Sequence, residues 1–186
     1  WAAVTTRPDI AFDVAWLASK GPTADHEEVF FANKVQRRLK EAPLVIRFQK
    51  LTDTIGDWRC MTFHDAGWAT RPSDHSQAGA LICFAAPNVI QGQIATCNVV
   101  DWVCAKIEQK TPNPFTAEVH SANMAVDQME VVHSMLACAL YGWTAKQYLA
   151  RKDSSSITLI ASRILVGDNK GVFTNVHNAS PITRKG

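Results

Sequence analysis

The chain has 186 residues, of which 47% are hydrophobic and 19% charged, and its formal net charge is +2 at pH 7. This composition excludes a disordered chain. No apolar run approaches the roughly 20 residues of a membrane-spanning helix. A net charge this small does not by itself indicate nucleic-acid binding. The five cysteines form no CxxC pair and no spacing with histidine that suits zinc, so we expect an intracellular, reducing compartment, the cytoplasm or the nucleus.

The first fifty residues predict a small helical hairpin. Residues 9–20, "DIAFDVAWLASK", form an amphipathic pattern that Gly21 and Pro22 end. A second helix is predicted to begin after Thr23 or Asp25 as its N-cap and to finish with basic residues before Pro43. "LVIRFQ" (44–49) is predicted as a strand. The basic stretch 33–50 is interpreted as a solvated helix face, with contact to phosphate as the alternative.

From residue 58 the pattern changes to strands followed by a long helix. "WRCMTFHDA" (58–66) predicts a strand, and 77–96 predicts two strands joined through Pro87 and Asn88. "NVVDWVCAKI" (98–107) extends this antiparallel meander. Residues 111–140 predict one long helix, 156–166 a strand and 168–179 a short helix. The order predicts an α/β fold with a mixed sheet, an antiparallel three-strand start and a helical hairpin in front.

The long helix places a carboxylate at the start of its apolar stripe. Steps of three and four residues from Glu118 meet only apolar positions: Ala122, Ala125, Met129, Val132, Leu136 and Ala139. A carboxylate that begins a buried stripe is unfavourable unless it is paired, exposed at the rim or bound to a metal. The alternative is a first-turn Glu that the helix dipole favours and that points clear of the core.

Two further carboxylates follow predicted strands. Asp65 comes after the first strand and Asp168 after the last, where open α/β sheets usually bind ligands. Asp65 is also suited to start a turn, and Asp168 to cap the next helix. Together with Glu118 they supply the oxygen ligands that Mg²⁺ prefers. His64 is predicted to point to the opposite sheet face, and His120 and His133 to lie on helix flanks.

Four segments, in this order and spacing, resemble the Pol polyprotein of Copia-type (Ty1/copia) retrotransposons. "VTTRPDIAFDVAWLAS" (4–19) before "ANKVQRRLKEA" (32–42) resembles the end of the reverse transcriptase. "HDAGWA" (64–69) resembles the opening of the ribonuclease H domain. "DWVCAKIEQKTPNPFTAEVHSANMA" (101–125) resembles its tryptophan strand, basic turn and helix with the essential Glu, and "ILVGDNKGVF" (164–173) its Asp-Asn-Lys strand end.

The resemblance implies a ribonuclease H-like domain at 58–186, truncated at its C-terminus, behind a helical remnant of the reverse transcriptase connection at 1–50. It implies catalytic, metal-binding roles for Asp65, Glu118 and Asp168, with two Mg²⁺ (or Mn²⁺) ions. The implied activity is hydrolysis of RNA in RNA–DNA hybrids. The expected partners are the hybrid or another nucleic acid and further protein subunits, with no membrane. Because the sequence does not begin with Met, we expect the chain to be a piece of a longer protein.

The sequence also departs from the family. Such enzymes use a fourth carboxylate on a late helix, whereas no Asp or Glu follows Asp168 here. Val119 and His120 stand where a second acidic residue is usual, and "TRPSDHSQAGA" (70–80) replaces an arginine- and serine-rich run. These departures favour a second hypothesis, a domesticated and catalytically weak copy that acts as a structural or nucleic-acid-binding subunit. A third hypothesis is an unrelated α/β domain that shares the motifs by chance.

Overall fold

A four-stranded mixed sheet forms the centre of the computed structural model, which describes residues 2–71, 74–151 and 161–178. The strands are β1 (Arg59–Arg71), β2 (His75–Ala85), β3 (Cys97–Lys106) and β4 (Ser162–Val166), in the spatial order β3-β2-β1-β4. β1, β2 and β3 pair antiparallel, and β4 pairs parallel to β1. The predicted mixed sheet with an antiparallel three-strand start is confirmed, and the arrangement is consistent with a ribonuclease H-like fold.

Among the described residues, three α-helices precede the sheet and three follow its first three strands. The first group is α1 (Ala2–Thr5), α2 (Ala11–Lys20) and α3 (His26–Glu41), and the second is α4 (Pro114–Tyr141), α5 (Ala145–Arg151) and α6 (Lys170–Asn178). α2 ends at Gly21, whose φ of 42° suits glycine. Of the two predicted caps for α3, Asp25 is the one used, in a capping box with Glu28. The predicted helical hairpin is therefore confirmed.

The main core lies where α4 packs on β1 and β2. It is built from Cys60, Ile82, Phe84, Met129 and Ala161. The predicted stripe is buried through Met129, but Ala139 is exposed, and His133 and Ala137 are buried instead. The predicted stripe advances by a mean of 3.5 residues, whereas an α-helix has 3.6 residues per turn. The buried face of the helix therefore shifts by one position relative to the predicted stripe.

Two predicted strands are wrong, and a third lies only partly within the described residues. Residues 44–49 are not a strand, since the backbone N–H and carbonyl of Gln49 bond to the side chain of Asn98 rather than to a neighbouring strand. After β2 the chain forms a 3-10 helix (Pro87–Gln91), and the third strand starts at Cys97, because the proline opens a helical turn rather than a hairpin. Within the predicted strand 156–166, β4 covers Ser162–Val166, and 156–160 lies outside the described residues.

The N-terminal helices pack against the edge of the sheet that β3 forms. Their own small core contains Ala3, Ile10 and Val35. The indole Nε1 of Trp102 in β3 donates a hydrogen bond to the Ala3 carbonyl, which ties α1 to the sheet. Among the described residues, none of the helices combines the length and the apolarity that crossing a membrane requires.

Candidate metal centre

The register of the parallel pair β1–β4 brings two aspartates to one place. The last paired residues are Phe63 and Val166, and Asp65 and Asp168 each lie two positions beyond that pair. Since neighbouring strands are about 4.8 Å apart, side chains at matching positions beyond the pair are adjacent. Asp65 lies within β1 and still pairs with Gly79 of β2. The expectation that Asp65 follows the end of its strand, and the alternative that it starts a turn, are therefore wrong.

Asp168 does not cap the helix that follows it. The side chain of Asn169 accepts the Val172 backbone N–H at 3.1 Å, and the Asn169 carbonyl accepts that of Phe173 at 3.2 Å. Asn169 is thus the N-cap residue of α6, because it accepts hydrogen bonds from the backbone N–H groups at the start of that helix. The carboxylate of Asp168 instead remains exposed beside the end of β4.

Glu118 is buried and belongs to the second turn of α4. The helix begins at Pro114 after the N-cap Asn113, so the interpretation of Glu118 as a first-turn residue pointing clear of the core is wrong. Its residual exposure is 7%. Ser121, three residues further on, holds this part of the helix to the sheet, since its Oγ lies 2.7 Å from the carbonyl oxygen of Asp65 and 3.2 Å from that of Gly79.

The three predicted carboxylates meet. One ligand atom each from Asp65, Glu118 and Asp168 lies within 4.8 Å of the others. Asp65 and Asp168 are exposed, while the Glu118 oxygen Oε2 is buried without a hydrogen-bond partner among the described residues. Burial, and after it the negative charge of Asp65, raise the pKa of Glu118 above its ordinary value. A buried, unpartnered carboxylate oxygen among like charges suits a hard cation, so the cluster can hold a divalent metal ion.

His64 lies beside Glu118, a contact that the sequence did not predict. It alternates with Asp65 along β1 as predicted, and it is buried on the same face of β1 as Cys60, which packs with Met129 of α4 in the main core. Its Nδ1 therefore lies 3.8 Å from Glu118 Oε2. Burial lowers the pKa of His64, although the charges of Asp65 and Asp168 act in the opposite direction. The available signal was the strand period of two, which places residue 64 toward the helix that carries Glu118.

His133 is a core residue rather than a flank residue of α4. It is 1% exposed, and its ring nitrogens lie 3.0 Å from the Tyr148 hydroxyl and 3.0 Å from the Ala161 carbonyl oxygen. The partner Tyr148 belongs to α5, a helix that was not predicted. His120 is half-buried on the same helix. Among the described residues, the candidate metal cluster contains neither histidine nor any cysteine.

Comparison with known proteins adds one distant similarity. No protein-family model matches the chain, and no match is found among curated proteins. Among solved structures, the chain is similar to a foamy viral protease-reverse transcriptase in complex with an RNA/DNA hybrid, at 11% identity and a TM-score of 0.29. The match covers 87% of this chain and 26% of that chain. Similarity at this level assigns neither a fold nor a function.

Proposed function

We propose that this chain is the ribonuclease H-like part of a Copia-type retrotransposon Pol polyprotein and hydrolyses RNA in RNA–DNA hybrids. One observation carries the proposal: Asp65, Glu118 and Asp168 have ligand atoms within 4.8 Å of one another. Residues 58–186 would form this domain, and 1–50 a remnant of the reverse transcriptase connection. The order of the four sequence motifs supports the assignment to this family.

The arrangement of the carboxylates suits a substrate that arrives from solvent. Glu118 is buried on α4, whereas Asp65 and Asp168 are exposed and accessible to a phosphate. Two bound Mg²⁺ or Mn²⁺ ions would lower the pKa of the attacking water and stabilise the leaving oxygen. The hybrid would be recognised by its backbone and 2′-hydroxyl groups rather than by its sequence.

The test is cleavage of a labelled RNA–DNA hybrid in Mg²⁺ or Mn²⁺, with the Asp65→Asn variant beside the unchanged protein. We expect cleavage by the unchanged protein and a loss of at least about a hundredfold in the variant, since the ligand charge is removed. Asp127→Asn, an exposed position on α4 outside the cluster, is the matched control and should keep full activity. Equal rates in Asp65→Asn and the unchanged protein would refute the proposed site.

A second candidate function is that of a structural subunit, and one observation favours it. A largely apolar groove of about 620 Å³ lies beside Asp65 on the sheet. Its lining includes Phe12, Leu44 and Phe63, each at least 40% exposed. A folded protein that cleaves no hybrid in either metal would favour this function over the nuclease.

A further inference from the structure

We propose that His64 positions Glu118 for metal binding, an inference that rests on the proposed metal site. The side chains of His64 and Glu118 are 3% and 9% exposed, and His64 Nδ1 lies 3.8 Å from Glu118 Oε2. Neither atom has a hydrogen-bond partner among the described residues. His64 precedes Asp65 directly in β1, so one strand supplies both a ligand and the residue that supports another ligand.

The separation of 3.8 Å is too long for a hydrogen bond but is closed by a small movement of the carboxylate. A buried polar atom without a partner is unfavourable, and here two such atoms face each other. A neutral imidazole with its hydrogen on Nδ1 is the donor that Oε2 lacks. When the Glu118 carboxylate binds a cation, a hydrogen bond from His64 Nδ1 to Oε2, which has a second lone pair free for it, holds the carboxylate in a single orientation.

Gly167 fixes the opposite side of the imidazole. A Cβ atom at position 167 would lie 2.3 Å from His64 Nε2 and 2.8 Å from its Cε1. The ring is thus held between the Gly167 backbone and Glu118. Because Gly167 directly precedes Asp168, His64 connects the three chain segments that supply the carboxylates.

The test measures Mg²⁺ and Mn²⁺ affinity from the metal-dependent rise in melting temperature, supported by calorimetric titration. We expect His64→Ala to weaken the binding of both ions by about tenfold, in the range found for residues that orient metal ligands. His64→Asn should stay close to the unchanged protein, because the amide nitrogen of Asn replaces Nδ1 as the donor. Circular dichroism and melting without metal check that each variant folds.

A double variant with both His64→Ala and Gly167→Ala distinguishes a positioning role of His64 from a general disturbance of the structure. Gly167→Ala pushes the His64 ring aside and should weaken metal binding as much as His64→Ala does. In the His64→Ala background the imidazole is gone, so Gly167→Ala should cause no further loss. Additive losses would overturn the proposal, as would a His64→Asn variant as weak as His64→Ala.

Two other outcomes are distinguishable. If His64→Ala weakens Mn²⁺ binding far more than Mg²⁺ binding, His64 is itself a ligand and not a positioning residue, because imidazole favours the transition metal. If the unchanged, folded protein binds neither ion, the proposed metal site fails and this inference fails with it. Normal metal binding in folded His64→Ala would overturn this inference alone and leave the proposed function standing.

Discussion

At the scale of single residues, Glu118 is the least favourable member of the cluster when no cation is bound. Its carboxylate is buried, its Oε2 has no hydrogen-bond partner among the described residues, and Asp65 and Asp168 place two negative charges beside it. Such strain is typical of functional sites, where stability is lost in favour of ligand binding. An uncharged residue at position 118 should therefore affect the stability of the metal-free protein and its metal binding in opposite directions.

We expect Glu118→Gln to raise the free energy of unfolding in EDTA by about 1 kcal/mol, because the amide removes one charge and donates to the neighbouring carboxylates. In Mg²⁺ the order should reverse, since the variant loses a ligand and with it the stabilisation by bound metal. Urea denaturation in the two buffers measures both effects.

Glu108→Gln is the control for Glu118→Gln. Glu108 is an exposed glutamate outside the cluster, paired with Lys106, and its substitution should change the free energy of unfolding by less than about 0.5 kcal/mol in either buffer. A Glu118→Gln variant that is less stable than the unchanged protein in EDTA would show that the buried carboxylate is well satisfied without metal.

At the scale of elements, the junction between α4 and the sheet decides whether Glu118 reaches the two aspartates. Ser121 is fully buried there, with its hydroxyl within hydrogen-bond distance of the carbonyl oxygens of Asp65 and Gly79. The hydroxyl therefore ties the helix to β1 and β2 beside the candidate site. The buried residues Ala117 and Ala122 are small, which allows α4 to approach the sheet closely.

Ser121→Ala should lower the free energy of unfolding by about 1–2 kcal/mol, because the part-buried carbonyl oxygens of Asp65 and Gly79 lose that donor. Ser134→Ala on the same helix is the matched control: its hydroxyl donates to the Val131 carbonyl at the exposed side and should contribute less than about 0.5 kcal/mol. Chemical denaturation of both variants tests the difference. Equal effects would mean that the junction does not depend on this hydroxyl.

At the scale of the whole molecule, His133 joins α4, α5 and the chain that enters β4. It contacts the Tyr148 hydroxyl and the Ala161 carbonyl oxygen. The Tyr148 hydroxyl also lies 2.9 Å from Glu130, which pairs with Arg163. Burial lowers the pKa of His133 below its ordinary value of 6.5, and the positive charge of Arg163 acts in the same direction, while the Ala161 carbonyl and Glu130 oppose it. The folded protein thus favours the neutral ring.

We therefore expect the contribution of His133 to stability to fall with decreasing pH. Below about pH 6.5 the unfolded chain takes up a proton at His133 that the folded chain does not, so the free energy of unfolding decreases until the pH passes the lower pKa of the folded state. His133→Gln should be less stable at pH 8, where a buried contact is lost, but should lose less stability between pH 7 and pH 5. Urea denaturation at stepped pH measures both slopes, and parallel curves would contradict the role of His133.

The sequence predicted the class of fold and the cluster better than it predicted the local packing. Periodicity located α4 and the paired strands. The start of the apolar stripe selected Glu118, and the ends of two predicted strands selected Asp65 and Asp168; the ligand atoms of all three do lie together. It missed the contact of His64 with Gly167, because a steric contact between β1 and the end of β4 follows from register and leaves no local pattern. It missed the core position of His133, because its partner Tyr148 lies on a helix that was not predicted.

The three carboxylates come from β1, from α4 and from the residues after β4, so they meet only once the parallel pair at Phe63 and Val166 has formed. That pairing joins distant parts of the chain, and contacts of this kind form late in folding. A bound cation would then stabilise the native state much more than the transition state. Its effect would appear as a slower rate of unfolding and a longer lifetime of the folded protein, with little change in the rate at which the chain folds.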